Sequence, residues 1–313
     1  MDYHGSTAPF SRKNHQEVKQ WSAKLQGKKG DCLPEGFVSE LPSAVYPKFL
    51  KIKKIKELKA IWESWTVERQ DAFIAKYGDI ALLLPIEINE QLLKAIILFW
   101  DLSYRCFTFN HEDLTPTVEE YAALLRISPP NPNKSLWKKS KKVPFRNKLA
   151  QMTNMDANVF VPITRLKGKN ECVQCDFLER YIIENNNDDQ VKDIFAQVVY
   201  GTLIFPQSSG YIDATVVNLI EQIDNQVNHV PAIIIKIIRS LNYCRRKGEE
   251  DFIGCTPLLY IWIRSHFWCK CKASLRFCMS TMVPVKEFCQ KEWSKDQTRE
   301  QWEQPFGIWT RLT

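Results

Sequence analysis

Apolar residues recur at helical spacing in one segment after another of this 313-residue chain, and that repetition limits the folds open to it. A helix with one apolar face must bury it against other elements of the core. Stripes of this kind begin near residues 55, 90, 118, 216, 231 and 256. Gly78 predicts the end of a helix, and Asn89 predicts the start of the next. The clearest lies between 189 and 205, where one face carries Val191, Ile194, Phe195, Val198 and Val199.

Strand signals are rare by comparison. The alternating run from Tyr104 to Phe109 is typical of a short strand. After it, Thr115 and Pro116 predict the N-cap and the first residue of a helix. We therefore predict a mainly α fold, a single helical globular domain with one or two short strands. Its core should include one cluster of buried aromatic residues: Trp62, Trp65, Phe73, Trp100, Phe107, Phe109 and Tyr121.

The chain divides into three parts by composition. Residues 1–44 are polar and lack a clean period, which predicts a flexible basic N-terminal segment. Residues 45–293 carry the helical stripes and form the predicted domain, and residues 294–313 are interpreted as a truncated tail. Inside the domain, residues 128–170 are rich in proline, then in lysine, and weakly periodic. They predict a basic loop between two helical halves.

The net charge of +7 is confined to two regions. Residues 1–60 hold 12 basic and 6 acidic side chains, and residues 134–148 hold 7 basic and none acidic. The chain opens without the apolar region of a secretory signal, and no apolar run approaches the roughly 18 to 20 residues of a membrane helix. We therefore expect no membrane partner, and we expect the ten cysteines to be reduced, in the nucleus or alternatively the cytoplasm.

The lysine-rich segment from 134 to 148 is the most suggestive polar feature. Its cations are interleaved with Trp137 and Phe145. Clustered cations neutralise phosphates, and an aromatic ring can stack on an unpaired base. The same segment also fits a nuclear-import signal or a solvated loop, and under each reading it should be exposed. The candidate nucleic-acid-binding residues are Lys134, Lys138, Lys139, Lys141, Lys142, Arg146 and Lys148.

Cysteine spacing offers a metal hypothesis that the sequence disfavours. Cys172 and Cys175 have the spacing that lets two thiolates share one zinc ion. The second pair of ligands could come only from the distant set His266, Cys269, Cys271 and Cys278, whereas compact zinc modules keep both pairs close together. We expect buried, reduced cysteines and no metal or cofactor.

Catalytic signatures are absent from the sequence. There is no phosphate-binding glycine loop, no zinc-protease motif and no nucleophile elbow. The run His111–Asp113 combines an imidazole with carboxylates but is best explained as a turn before a helix. A transposase-like site built from Asp79, Asp101, Asp113 and Asp213 would need a β-rich core. We therefore predict no catalytic residues and expect that the chain is not an enzyme.

Several strings together resemble the plant mobile domain family, the module of transposon-derived and MAIN-like proteins. In the first half these are Trp62 with Trp65, Phe73 with Tyr77–Ile80, Phe99–Asp101, Arg105–Phe109, Leu114–Tyr121 and Leu124–Leu125. The second half resembles a branch of that family with unknown function. Its matching strings are Tyr200–Gly201, Phe205–Pro206, Val230–Ala232, Ser240–Leu241, Cys244–Arg246, Phe252–Cys255, Trp262 and Ser265–Trp268.

The resemblance implies a non-enzymatic protein of mobile-element origin. Such proteins are linked to meristem maintenance and gene silencing in the nucleus, through unknown protein partners or non-specific contact with nucleic acid. Some are labelled aminotransferase-like, but this mainly α pattern offers no framework for pyridoxal phosphate. The alternatives are a decayed catalytic relic of a mobile element, acting as a nuclease or transposase partner, and a non-functional truncated copy.

Overall fold

The structure, a computed structural model, describes residues 48–49, 55–102, 104–109, 112–127, 143–168, 170–186, 188–206, 210–224, 226–247, 251–267 and 284–290. Within these residues the chain forms eleven α-helices and eight short strands. The predicted mainly α fold is confirmed. The number of strands was underestimated, because most of them span only two to four residues and cannot show an alternating pattern.

The first two helices, α1 (Ile55–Ser64) and α2 (Val67–Tyr77), meet at a capped turn. The hydroxyl of Thr66 accepts a hydrogen bond from the backbone N–H of Arg69 at 3.4 Å and so begins α2. As the sequence predicts, α2 ends at Gly78, whose φ is 71°. A Cβ atom there would lie 2.5 Å from the carbonyl oxygen of Leu125, so this junction requires glycine.

A turn of 3₁₀ helix (Asp79–Leu83) leads to α3 (Glu90–Ile97), which begins where Asn89 accepts a hydrogen bond from the N–H of Leu92 at 3.0 Å. Three short strands follow and form an antiparallel sheet in chain order, and helix α4 (Val118–Leu125) comes after them. The strands are β2 (Trp100–Asp101), β3 (Cys106–Phe109) and β4 (Glu112–Leu114).

The N-cap of α4 is Thr117, so the prediction that placed it at Thr115 is wrong. The Thr117 hydroxyl accepts from the N–H of Glu120 at 3.2 Å, and the Glu120 carboxylate accepts from the N–H of Thr117 at 2.9 Å. This reciprocal capping box satisfies two backbone donors at once. The Thr115 hydroxyl instead donates to the carbonyl oxygen of Arg105 at 3.3 Å.

The predicted loop at 128–170 is wrong for residues 143–168, which are largely structured. They form α5 (Phe145–Thr153), a 3₁₀ turn (Ala157–Phe160) and β5 (Thr164–Lys167). Strand β5 joins a second antiparallel sheet in the order β5-β6-β7, with β6 (Asn170–Gln174) and β7 (Tyr211–Asp213). A nine-residue helix and strands this short give only weak periodicity in the sequence, which is why the pattern predicts a loop.

Helices dominate the second half of the chain. A π-helical turn (Tyr200–Ile204) extends the helix Val191–Val199. No helix among the described residues is long and apolar enough to cross a membrane. Strand β1 (Lys48–Phe49) pairs in parallel with β8 (Asp251–Phe252). The helices are α6 (Cys175–Glu184), α7 (Val191–Val199), α8 (Ala214–Asp224), α9 (Val230–Lys247), α10 (Thr256–Phe267) and α11 (Val285–Phe288).

One hydrophobic cluster runs through the fold from Leu58 in α1 to Phe288 in α11. It contains six of the seven aromatic residues predicted to share a core, each at most 6% exposed, so this prediction is confirmed for them. The side chain of the seventh, Phe109, lies outside the described part of the chain, as do residues 1–44 and 294–313. The six residues are Trp62, Trp65, Phe73, Trp100, Phe107 and Tyr121.

Candidate nucleic-acid interface

Two of the seven predicted nucleic-acid-binding residues fall in the described part of the chain. Arg146 and Lys148 both lie in the first turn of α5. Phe145, one of the two aromatic residues considered for base stacking, is 5% exposed and packs into the core. The other five candidates, Lys134, Lys138, Lys139, Lys141 and Lys142, lie outside the described residues, as does Trp137.

Lys148 is buried, and the prediction that the whole segment is exposed is therefore wrong at this residue. Its ammonium lies 2.5 Å from a carboxylate oxygen of Glu221 and 2.7 Å from the amide oxygen of Asn218, both in α8. The side chain is 10% exposed. Lys148 falls on the inward face of α5 beside Phe145 and Leu149, so its charge holds α5 against α8.

Arg146 connects the end of the lysine-rich segment to the second sheet. Its Nε donates a hydrogen bond to the hydroxyl of Thr164 at 3.0 Å, and that hydroxyl donates to the carbonyl oxygen of Phe160 at 2.7 Å. Thr164 is the first residue of β5, which continues with Arg165 and ends at Lys167. The first turn of α5 therefore lies against a strand that carries two further cations.

Arg165 and Lys167 share one face of the second sheet with Tyr211 of β7. Arg165 pairs with Cys172 and Cys172 with Asp213, while Tyr211 pairs with Gln174. Directly paired side chains lie on the same face of a sheet, and every second residue along a strand returns to it. The opposite face carries the buried side chains of Val173 and Ile212 and packs into the core.

The two cations lie over the aromatic ring. The guanidinium carbon of Arg165 is 5.8 Å and the ammonium of Lys167 is 5.2 Å from the centre of the Tyr211 ring. The amide of Gln174 donates to the Tyr211 hydroxyl at 3.4 Å and holds the ring from the central strand. We name this group, Arg165, Lys167, Gln174 and Tyr211, the basic sheet face.

One carboxylate lies on the same face. Asp213 is 8% exposed and accepts hydrogen bonds from the backbone N–H and the hydroxyl of Thr215 at 2.7 and 2.8 Å, and from Asn170 at 3.0 Å. It also attracts Lys236 of α9, although burial and the neighbouring Arg239 outweigh this attraction and lower the pKa of Lys236. The exposed charges of the basic sheet face remain positive.

Each cysteine of the pair considered as a zinc site contacts a local hydrogen-bond acceptor. The thiol of Cys175 donates to a carboxylate oxygen of Glu179 at 3.1 Å, and that of Cys172 lies 3.9 Å from the carbonyl oxygen of Asn170. Burial, and after it the charge of Asp213, raises the pKa of Cys172. Cys269, Cys271 and Cys278 lie outside the described residues. Among those described, no three potential ligands are grouped to hold a metal ion.

The four aspartates considered as a carboxylate site are engaged separately. Asp79 forms a bidentate ion pair with Arg126, and Asp101 accepts from the N–H of Tyr104 at 2.8 Å. Asp113 accepts from the hydroxyl of Thr108 at 2.8 Å and belongs to β4, so the run His111–Asp113 is partly a strand rather than a turn. His111 lies outside the described residues. Asp213 lies on the basic sheet face.

His266 contacts the carboxylate of Glu120, which also caps the start of α4. Its Nε2 lies 3.2 Å from one oxygen of Glu120, while the indole N–H of Trp262 donates to the other at 3.0 Å. Burial opposes ionisation of Glu120, but hydrogen bonds from His266, Trp262 and the N–H of Thr117 outweigh it and lower its pKa to about 2. This contact joins the start of α4 to the end of α10.

We expect Glu120→Gln to make stability less dependent on pH in the acid range. A pKa of about 2 in the folded chain, against an ordinary 4.5, means that the ionised carboxylate stabilises the fold above about pH 4.5. Solvent screening of this partly exposed carboxylate limits the stabilisation to roughly 1–2 kcal/mol, and it is lost as the pH falls towards 2. Urea unfolding followed by tryptophan fluorescence should show the two proteins converging over this window. Glu119→Gln, an exposed neighbour in the same turn, should behave like the wild type.

Sequence comparison places the chain in a family. Residues 58–308 match the model of a family described as Domain of unknown function (DUF7745). The chain belongs to this family. No curated protein and no solved structure matches it. The matched range includes both three-stranded sheets, the basic sheet face and the lysine-rich segment.

Proposed function

We propose that this DUF7745 protein is a non-enzymatic module of the nucleus that associates with nucleic acid through phosphate contacts. The observation that carries the proposal is the hydrogen bond from Arg146 to Thr164, at 3.0 Å. It places the end of the lysine-rich segment against the strand that carries Arg165 and Lys167. Lys142 is four residues from Arg146, and an extended chain of that length reaches at most about 14 Å. The lysine-rich segment is therefore joined within a few residues to the strand of the basic sheet face, and we propose that both sets of cations contribute to one phosphate-binding surface.

Such a surface attracts nucleic acid without reading its sequence. Lysine and arginine side chains that neutralise phosphates release condensed counterions, so affinity falls steeply with salt. Base sequence is read by contacts to base edges, and clustered cations on phosphates do not supply these. Binding should therefore be non-specific and strongly salt-dependent.

The wider proposal is that the chain is a protein of the plant mobile domain type, derived from a mobile element and linked to meristem maintenance and gene silencing. It rests on the motif strings given above, from Trp62 to Trp268. The alternative is a catalytic relic, a nuclease or transposase partner. The separate engagement of Asp79, Asp101, Asp113 and Asp213 in the structure favours the binding module. A metal-dependent cleavage assay on DNA separates the two.

Reversing four lysines of the segment should abolish binding. In Lys138→Glu, Lys139→Glu, Lys141→Glu and Lys142→Glu combined, repulsion replaces attraction at the phosphates, and we expect the melting temperature to change little. Fluorescence anisotropy with a labelled DNA duplex, measured over a range of salt concentrations, tests this. The wild type should show a steep linear fall of log affinity with log salt.

A control of equal charge separates a local surface from net charge. Four exposed cations elsewhere can be reversed to glutamate instead, and this variant should retain most of the binding. The same loss in both variants would show that only the total charge matters and would contradict the proposed surface. Loss of nuclear localisation without loss of binding would identify the segment as an import signal. The control positions are Lys56, Arg180, Arg246 and Lys286.

A further inference from the structure

We infer that Tyr211 is a stacking platform for an unpaired base and that the basic sheet face prefers single-stranded nucleic acid to duplex. This inference rests on the proposed function, since it names the form of nucleic acid that the same surface binds. The structure brings an aromatic ring of β7 together with two cations of β5, although Arg165 and Lys167 are 46 and 44 residues from Tyr211 in sequence.

The ring is fixed in place before any ligand arrives. Gln174 holds the Tyr211 hydroxyl from the adjacent strand at 3.4 Å. The neighbouring residue Ile212 points to the opposite face and is 1% exposed, so the strand beneath the ring is packed on the core. A ring held on a rigid sheet loses little conformational freedom when a base stacks on it. Tyr211 itself is half-buried, and a base stacks on its ring when the flexible side chains of Arg165 and Lys167 turn from the ring to the phosphates.

Phosphates flanking such a base would meet positive charge. Arg165 and Lys167 alternate along β5 on the same face as the ring, at 5.8 and 5.2 Å from its centre. Arg146 is not part of this group, because it bonds Thr164, which pairs with Val173 and so belongs to the opposite face of the sheet. Aromatic rings on a basic surface bind single strands because every base has a flat face to stack, whatever its identity. This charge complementarity favours nucleic acid over an acidic protein, which offers no bases to the ring.

Single strands should be preferred because duplex bases are already stacked. A side chain on a flat sheet can reach a base face only where the base is unpaired. Phosphate attraction, by contrast, acts on both forms. Arg165 and Lys167 should therefore contribute to the binding of either form, and Tyr211 to the binding of single strands alone.

The test compares a labelled oligothymidine strand with a DNA duplex of the same length, using the full chain. Tyr211→Leu should weaken binding of the single strand roughly tenfold and leave duplex binding unchanged, because base stacking on one ring is worth about this much. Tyr211→Phe keeps the ring and loses only the long hydrogen bond to Gln174, so it should retain most of the single-strand binding that Tyr211→Leu loses. Equal losses for both probes, or no loss for either, would overturn the inference.

A crosslinking measurement on the wild type does not depend on a folded variant. A single strand that contains iodouracil should crosslink under ultraviolet light to Tyr211, identified by mass spectrometry of the peptides. Crosslinks confined to other residues would overturn the inference, even if Tyr211→Leu failed to fold. If the wild type binds neither probe, the proposed function itself fails. If it binds both equally and Tyr211→Leu changes nothing, only the stacking platform fails.

Discussion

Replacing Arg126 by alanine is expected to destabilise the fold by an amount at the lower end of about 3–5 kcal/mol, the range for breaking a buried ion pair by removing one partner. Asp79 is fully buried, and both of its oxygens accept from Arg126, at 2.6 and 2.5 Å. Hydrogen bonding to Asp79 raises the pKa of Arg126. The Arg126 side chain is 39% exposed, so water partly surrounds the ion pair, which places the cost at the lower end of the range. In the alanine variant the Asp79 carboxylate stays buried without this partner, which is the source of the cost.

A double-mutant cycle separates loss of the partner from loss of the pair. Asp79→Asn removes the charge that needs a partner, so Arg126→Ala in that background should cost much less than in the wild type. Urea unfolding of the four proteins, followed by tryptophan fluorescence, gives the coupling free energy. Additive effects would contradict the structure. The φ of 52° at Arg126 makes Arg126→Gly a useful second variant, because glycine removes the side chain without backbone strain.

The features predicted correctly from sequence are those determined by neighbouring residues. The end of α2 at Gly78 and the start of α3 at Asn89 depend on turn and cap chemistry within a few positions. The apolar stripe of α7 needs only helical spacing to place it in the core. The cap of α4 was placed two residues early, because Thr115 and Thr117 are both good caps and the reciprocal partner Glu120 decides between them.

The candidate site could not be predicted in the same way, because it depends on contacts between distant segments. In the sequence, Lys148 cannot be distinguished from the other lysines of its segment. Only the fold brings Glu221 of α8 within 2.5 Å of it. Arg165 and Tyr211 become neighbours through the pairing of three short strands. The cations at alternate positions of β5 were a usable signal, since alternation places two side chains on one face. The weak periodicity of residues 128–170, which is typical of a loop, hides this signal.

Phe73→Ala is expected to lower the free energy of unfolding by about 3–5 kcal/mol, the typical cost of truncating a buried aromatic residue. Phe73 is fully buried in α2, and its ring lies 5.4 Å from that of Trp62 in α1 and 5.6 Å from that of Phe195 in α7. The same ring is 5.9 Å from Trp65 and 4.9 Å from Tyr77. A cavity here would loosen three helices together.

The matched control is Tyr243→Ala in α9, because Tyr243 is an aromatic residue that is 41% exposed. Its loss should change the free energy of unfolding by no more than about 0.5 kcal/mol. Phe73→Leu should fall between the two, because leucine refills part of the cavity. A loss below about 1 kcal/mol for Phe73→Ala, in urea unfolding read by tryptophan fluorescence, would contradict a packed aromatic cluster between α1, α2 and α7. The reason is that a ring in contact with four others cannot be removed from a close-packed core without leaving a void.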